Sequence, residues 1–284
     1  MTNKNPDQDE VYSGSFESLS KAEEQELFRT AIPVTAPELS PEDIEILESD
    51  KTEKPRPESK HELDLNKLLG TPSKADISAS PFKYGGRIFF TNANGINSSC
   101  SAQFIGEHNI LLTAAHCIRD DVSGNFFTNF RFYRGYDNRS YEKEFSINAW
   151  GTKSGWVSSS NSRYRYDYAF LRTTQRSDVG YLGYKTLQND DDWIEFGYPV
   201  NFGNNLIMQK VSGTRGRLSN GTVEMLGNPM RRGNSGGAWF VTNNSNNRQA
   251  MGNQSHNIAG NTDDAWGPIF TNSTFSLLRA VRDR

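Results

Sequence analysis

The chain has 284 residues, 34 acidic and 31 basic side chains and a formal charge of −3. Two cysteines are too few for a multi-cysteine metal framework. No stretch approaches the ~20 apolar residues of a membrane span, and no aromatic–basic motif of the usual nucleic-acid modules is present.

Charge and composition divide the chain in two. Residues 1–81 carry 18 acidic and 9 basic side chains, a net of −9, and the remainder carries 16 and 22, a net of +6. The first part is rich in Glu, Pro and Ser, a composition that buries little apolar surface and favours weak structure or marginal helices. Helix signals occur over FESLSKAEEQELF (16–28), over PEDIEILE (41–48) behind a capping box of Ser40 and Asp43, and over HELDLNKLLG (61–70), stopped by Gly70. Two readings fit: a solvated acidic leader, or a pro-segment shielding a basic catalytic face. From Met1 onward the sequence is polar, without the apolar core of an export signal. Export then implies either a signal removed upstream or another route.

SPFKYGG marks the passage into residues 82–284, a length suited to one all-β domain. Strands are expected at GRIFFT, AQFIG, NILLTA, NFRFYR, EFSINAW, YDYAFLRT, WIEFGYP, LIMQKVSG, TVEML and GAWFV, which are short, alternating or apolar, and separated by Gly, Asn, Asp and Ser turns. STFSLLRAVRDR closes the chain as an amphipathic helix with Phe275, Leu278 and Val281 on one face.

Three segments carry the chemistry. LLTAAHCI places His116 after an apolar run, YRYDYAFLRT places Asp167 within a strand pattern, and RRGNSGGAWF surrounds Ser235 with glycines. A serine hydroxyl is a weak nucleophile until a neighbouring base takes its proton. Histidine, with an ordinary pKa near 6.5, suits that task, and an aspartate fixes its tautomer. GNSGG also satisfies the nucleophile elbow of the α/β-hydrolases, but that fold orders its residues Ser, Asp, His, whereas here the order is His116, Asp167, Ser235. His61 and His108 stand in polar surroundings and are expected to be solvated.

TAAHC, DYAFL and GNSGG resemble the three catalytic blocks of the trypsin/chymotrypsin-like serine peptidases. GRIFFTNANGINSSCSAQFIG, FGYP and WGPIFTNSTFSLLRAV resemble the entry strand, a middle strand and the terminal strand and helix of the glutamyl-endopeptidase-like branch. The resemblance spans about residues 82–284. It implies an all-β fold of two antiparallel six-stranded β-barrels with a C-terminal helix, preceded by a weakly structured N-terminal segment. It further implies a disulfide between Cys100 and Cys117, and with it an oxidising compartment. Gly233 and Ser235 main-chain N–H groups would form the oxyanion hole. Met230, at the pocket base, and Gln254, Ser255 and His256, on the opposite wall, would bind substrate. Pro229 stands where a trypsin-like pocket needs a carboxylate, so cleavage after Lys or Arg is not expected. Ala238-Trp239 after the serine motif and Met230-Arg231-Arg232 before it depart from the branch, and His256 falls two positions late for its pocket histidine.

The expected protein is therefore a secreted or periplasmic serine endopeptidase using His116, Asp167 and Ser235, made as a zymogen whose leader (1–81) is cut off between about Lys74 and Tyr84. In this fold a new N-terminus often completes the active site. The expected partner is a protein or peptide substrate; the protein is expected to be a monomer, and the mechanism needs no metal or organic cofactor. The alternatives are a catalytically silent binding module on the same fold and a protease acting mainly on itself.

Overall fold

The structure, a computed structural model, describes residues 5–14, 19–40, 70–158, 160–186, 192–242 and 248–284. The helices expected over 41–48 and 61–70, His61 and the Ser40–Asp43 box lie outside the described residues, apart from Ser40 and Gly70 themselves.

Strands β5 (Gly85–Thr91), β6 (Asn97–Phe104), β7 (Ile110–Thr113), β8 (Thr128–Arg134), β9 (Lys143–Lys153) and β10 (Ala169–Thr173) form the first barrel, numbered after four short leader strands introduced below. Neighbours run β9-β10-β7-β6-β5-β8, and β8 pairs back to β9, which closes the six-stranded ring. Alternation along β5 sends Ile88 and Phe90 inward, where they meet Phe104, Leu111, Phe132, Phe145 and Leu171. Phe89 faces out, toward the second half of the domain.

The second half contains β11 (Gly183–Tyr184), β12 (Asp192–Gly197), β13 (Gln209–Ser219), β14 (Thr222–Leu226), β15 (Ala238–Thr242), β16 (Arg248–Asn253), β17 (Asn257–Ile258) and β18 (Ala265–Pro268). Six of these lie in the order β16-β15-β12-β13-β14-β18. The two ends approach each other: Phe270 N–H donates to the Met251 carbonyl and Ser255 N–H to that of Trp266. Trp193, Val211, Val223, Met225, Trp239 and Met251 fill this half. Helix α2 (Asn272–Arg282) presents Phe275, Leu278 and Val281, as its spacing requires, and adds Leu277. These enter a core shared by both halves that includes Phe89, Tyr198 and Phe240.

The described residues before Pro81, the expected leader, lie on these two halves. Strand β1 (Asp9–Ser13) pairs antiparallel with β9, extending the first sheet. Its carboxylates meet buried cations: Asp9 lies 2.6 Å from Lys153 Nζ, and Glu10 pairs with Arg119. Helix α1 (Lys21–Thr30) starts at a reciprocal Ser20–Glu23 capping box. It buries Leu27 and sets Phe28 among Phe89, Tyr133 and Tyr136. Beyond α1 come β2 (Ile32–Pro33), on β6; β3 (Glu38–Leu39), on β17; and β4 (Ser73–Lys74), on β13.

Cys100 and Cys117 are joined, both fully buried in the first barrel, with Cα atoms 6.2 Å apart. The bridge ties β6 to the turn that carries His116. Reduction should cost about 3 kcal/mol, the loop-closure value for a loop of this length, and lower the melting temperature by roughly 6–12 °C. Non-reducing peptide mapping should recover the linked pair; two freely alkylatable thiols in native protein would contradict it.

Candidate active site

His116 sits in a short 3-10 turn, Ala115–Cys117, directly after β7, and Asp167 ends another, Asn161–Tyr166, just before β10. Because β7 and β10 are hydrogen-bonded neighbours, the two side chains emerge at the same end of the first barrel. Asp167 is fully buried and receives three hydrogen bonds. His116 Nδ1 lies 2.8 Å from Oδ2, the His116 backbone N–H donates to Oδ1 at 2.9 Å, and Ser255 Oγ donates to Oδ2 at 2.6 Å. A carboxylate only accepts, so the imidazole proton is assigned to Nδ1 and Nε2 carries the free lone pair.

Burial works to raise the Asp167 pKa, but the charge and hydrogen bonds of His116 and the Ser255 hydroxyl outweigh it and hold the carboxyl below its ordinary value. A depressed carboxyl stabilises the fold above its unfolded pKa, near 3.9, and loses that contribution as pH falls through the lower folded value. Ser255→Ala removes one of the bonds that favour the charged form, so acid unfolding should begin at higher pH, as followed by tryptophan fluorescence. An unchanged acid midpoint would show that this bond contributes nothing.

Ser235 lies on the loop between β14 and β15. Neither Ser235 Oγ nor His116 Nε2, both buried, has a hydrogen-bond partner among the described residues. Gly233 takes φ +86°, and a Cβ there would overlap Asn205 Nδ2 and the Tyr198 carbonyl, so this position requires glycine. The loop is gripped from the first barrel by polar side chains on the outer face of β6. Ser101 Oγ donates to the Gly233 carbonyl and accepts from Tyr198 N–H. Gln103 Nε2 donates to the Gly236 carbonyl, while its Oε1 accepts from Ala238 N–H. Neither Ser101 nor Gln103 carries a recognisable local signal; both were legible only as polar residues beside an apolar run.

The four residues expected to bind substrate are all buried. Met230 packs into the core of the second half. Gln254 Nε2 contacts Asn257 Oδ1 at 3.3 Å, and Ser255 serves Asp167. His256 stacks on Tyr164 with centroids 4.5 Å apart, and its Nδ1 lies 3.0 Å from Ser255 Oγ. Since Ser255 gives its proton to Asp167, His256 Nδ1 is the donor there. Burial depresses the His256 pKa to about 3, so the ring is neutral near pH 7 and offers an acidic substrate side chain no charge. The Arg231 guanidinium is held by the carbonyls of Asn228, Met230 and Asn261. His108, on the far side of the first barrel, contacts the Ser177 carbonyl.

Leader residues 32–39 lie across the site. Strand β2 runs parallel to β6, and Val34 N–H donates to the Ser99 carbonyl. The Val34 carbonyl then accepts the Gly233 N–H at 3.0 Å, and the Pro33 carbonyl accepts from Arg232 Nε at 2.9 Å. Further on, β3 runs parallel to β17, with Pro37 and Leu39 carbonyls accepting from Asn257 and Ala259 N–H groups. Leu39 is 2% exposed and sits among Trp156, Tyr164, Ile258 and Trp266.

Cys100, His116 and Cys117 are the only described group of histidines, cysteines and acids close enough to share an ion, within 4.8 Å. The two sulfurs are bonded to each other, leaving one imidazole. No helix among the described residues is long and apolar enough to cross a membrane.

A closed six-stranded β-barrel carrying a histidine–aspartate pair, and a second β-sheet whose ends approach without closing the expected second barrel and which carries a glycine-flanked serine, define a chymotrypsin-like serine peptidase. The chain belongs to that class: the family model of the trypsin-like peptidase domain matches residues 100–247. No curated protein matches the sequence. Among solved structures, the protease Anisep from Arthrobacter nicotinovorans is 24% identical with a TM-score of 0.64, covering 75% of this chain and 100% of its own. The thermostable serine protease AL20 from an extremophilic microorganism is 22% identical at a TM-score of 0.58, covering 71% and 98%. A Glu endopeptidase is 20% identical at 0.62, covering 76% and 100%. Identities this low establish a shared fold.

Proposed function

We propose that this serine endopeptidase is exported, works through an acyl-enzyme formed on Ser235, and is made as a zymogen whose leader occupies its own cleft. The observation that supports the catalytic reading is the His116–Asp167–Ser255 hydrogen-bond set together with the Ser235 loop packed on the histidine turn, where the Ser235 carbonyl lies 4.0 Å from Cys117 Sγ. His116 Nε2 takes the Ser235 proton as Oγ attacks the scissile carbonyl, then returns it to the leaving amine. Asp167 holds the imidazole and stabilises its cationic form. Gly233 and Ser235 N–H groups receive the developing oxyanion, and water then releases the acyl group.

The zymogen reading is supported by Val34, whose carbonyl engages the same Gly233 N–H that substrate would need. Processing between Lys74 and Tyr84 suits exposed Lys74, Asp76 and Ser78, yet a cut there would leave β1, α1 and the 32–39 segment held by their own contacts. Activation on this reading therefore requires that segment to leave the cleft as well. Export is supported by the buried disulfide, since such bonds persist in oxidising compartments. Substrate choice rests on Met230, Gln254, Ser255 and His256 as pocket residues, without a fixed charge from His256. The test combines a fluorophosphonate probe with a peptide library: covalent labelling of Ser235 and cleavage are expected, and an unreactive serine in leader-freed protein would overturn the catalytic reading.

A further inference from the structure

Resting on the peptidase reading above, we infer that buried Glu195 is the positioning residue that fastens the catalytic serine's loop from inside the second half of the molecule, a task that needs no newly created N-terminus. Glu195 lies in β12, between β13 and β15, and is fully buried. Its two oxygens are shared between two asparagines of one loop. Asn228 Nδ2 donates to Oε2, and Asn234 Nδ2 donates to Oε1.

Those two asparagines bracket the working part of the site. Asn228 turns its Oδ1 back onto the Met230 N–H, at the expected pocket base. Asn234 immediately precedes Ser235 and follows Gly233, the N–H that engages Val34. The carboxyl also fills the space behind Gly237, where a Cβ would meet Oε1 at 2.9 Å. One side chain thus ties pocket base, oxyanion donor and nucleophile to a strand in the middle of a sheet. Burial pushes this carboxyl well above the usual carboxylate range, with Asn228, Trp239 and Asn234 pulling the other way.

The residue before Ser235 is an amide, which has no charge to attract a terminal ammonium. Its Nδ2 already has a partner within the chain. The Gly233 N–H already binds a carbonyl oxygen while the leader is attached. The turn is therefore assembled before processing, and what the leader withholds is access to it.

The test uses the full chain and three variants: Glu195→Leu, which removes the carboxylate acceptor of both asparagine amides and leaves Asn228 only Met225 Sδ; Glu195→Gln, which keeps one acceptor; and Asn228→Ala, which cuts one tether and leaves the acid in place. Hydrogen exchange of the segment spanning 226–238 should quicken at least tenfold in Glu195→Leu and about threefold in Asn228→Ala, with first-barrel strands unchanged. With the cleft opened in each protein by Leu39→Asp, phosphonylation of Ser235 and kcat should fall at least tenfold in Glu195→Leu, with KM for a small ester moving less than threefold, and Glu195→Gln should recover most of the loss. Loop exchange and phosphonylation unchanged in Glu195→Leu would overturn the inference. So would loosening of the first barrel to the same extent in all three variants. If leader-freed protein that is otherwise wild type is never labelled, the peptidase reading fails, and the exchange comparison on the full chain still decides the role of Glu195.

Discussion

Ser235→Ala should be inert to serine-directed organophosphorus reagents, and His116→Ala should lose about 10⁶-fold in kcat, because triad members act as a unit. The size follows from the geometry. His116 Nδ1 is committed to a buried carboxylate, so Nε2 is the imidazole nitrogen left with a free lone pair to accept the serine proton. Ser235 Oγ has no hydrogen-bond partner among the described residues, so no other group there stands ready to activate it. Without either side chain, what remains is the catalysis supplied by the oxyanion donors and by binding, about 10³–10⁴-fold over water. Burst kinetics with an activated ester would show the acyl-enzyme directly. Activity of Ser235→Ala within tenfold of wild type would sink the mechanism.

Leu39→Asp should raise the peptidase activity of the full-length chain at least tenfold. Leu39 fastens the leader's cleft segment by filling a space walled by Trp156, Tyr164, Ile258 and Trp266. Removing a buried leucine side chain typically costs 2–5 kcal/mol, and an aspartate placed there adds the cost of desolvating a charge. Even 2 kcal/mol shifts the segment's closed-to-open ratio about thirtyfold. Leu39 touches the cleft from the leader, so the substitution leaves His116, Asp167 and Ser235 in place. Salt should have a smaller effect than the simple charge division between leader and domain suggests. Residues 32–39 carry only Glu38 as a charge, and the leader's acidic contacts at Lys153 and Arg119 are buried from screening. A full-length Leu39→Asp protein no more active than wild type on one peptide, at every ionic strength, would reject occlusion by this segment. Truncating the chain to start near Pro81 is a poorer test. It also removes Asp9 and Glu10, leaving Lys153 and Arg119 as buried cations without these carboxylate partners, a change that destabilises independently of inhibition.

The sequence by itself determined the class of protein and the architecture, and it supplied the candidate reacting groups. His116, Asp167 and Ser235 each sit in a short run whose residue types have one economical chemical use, and their order excludes the competing hydrolase fold. Strand alternation such as Ile88 and Phe90 against Phe89, and the spacing of Phe275, Leu278 and Val281, are local periodicities that survive into the fold because each residue's burial follows from its neighbours two to four places away. Tertiary structure decided everything that depends on a distant partner. Ser99, Ser101 and Gln103 make β6 look too polar for a buried strand, yet the backbone groups of Gly233, Gly236 and Ala238, more than a hundred residues on, satisfy Ser101 and Gln103. Glu195 reads as a lone charge in an apolar run until Asn228 and Asn234 fold over it. Ser255 shows no tie to Asp167, 88 residues earlier, until the fold sets the two side by side. The leader's composition states its charge, but the segment that enters the cleft, IPVTAPEL, has no pattern of its own. It lies there because its backbone donors and acceptors meet the open edges of β6 and β17. Hydrogen-bond complementarity of that kind has no period and no composition, so it becomes visible only when the two edges are brought together.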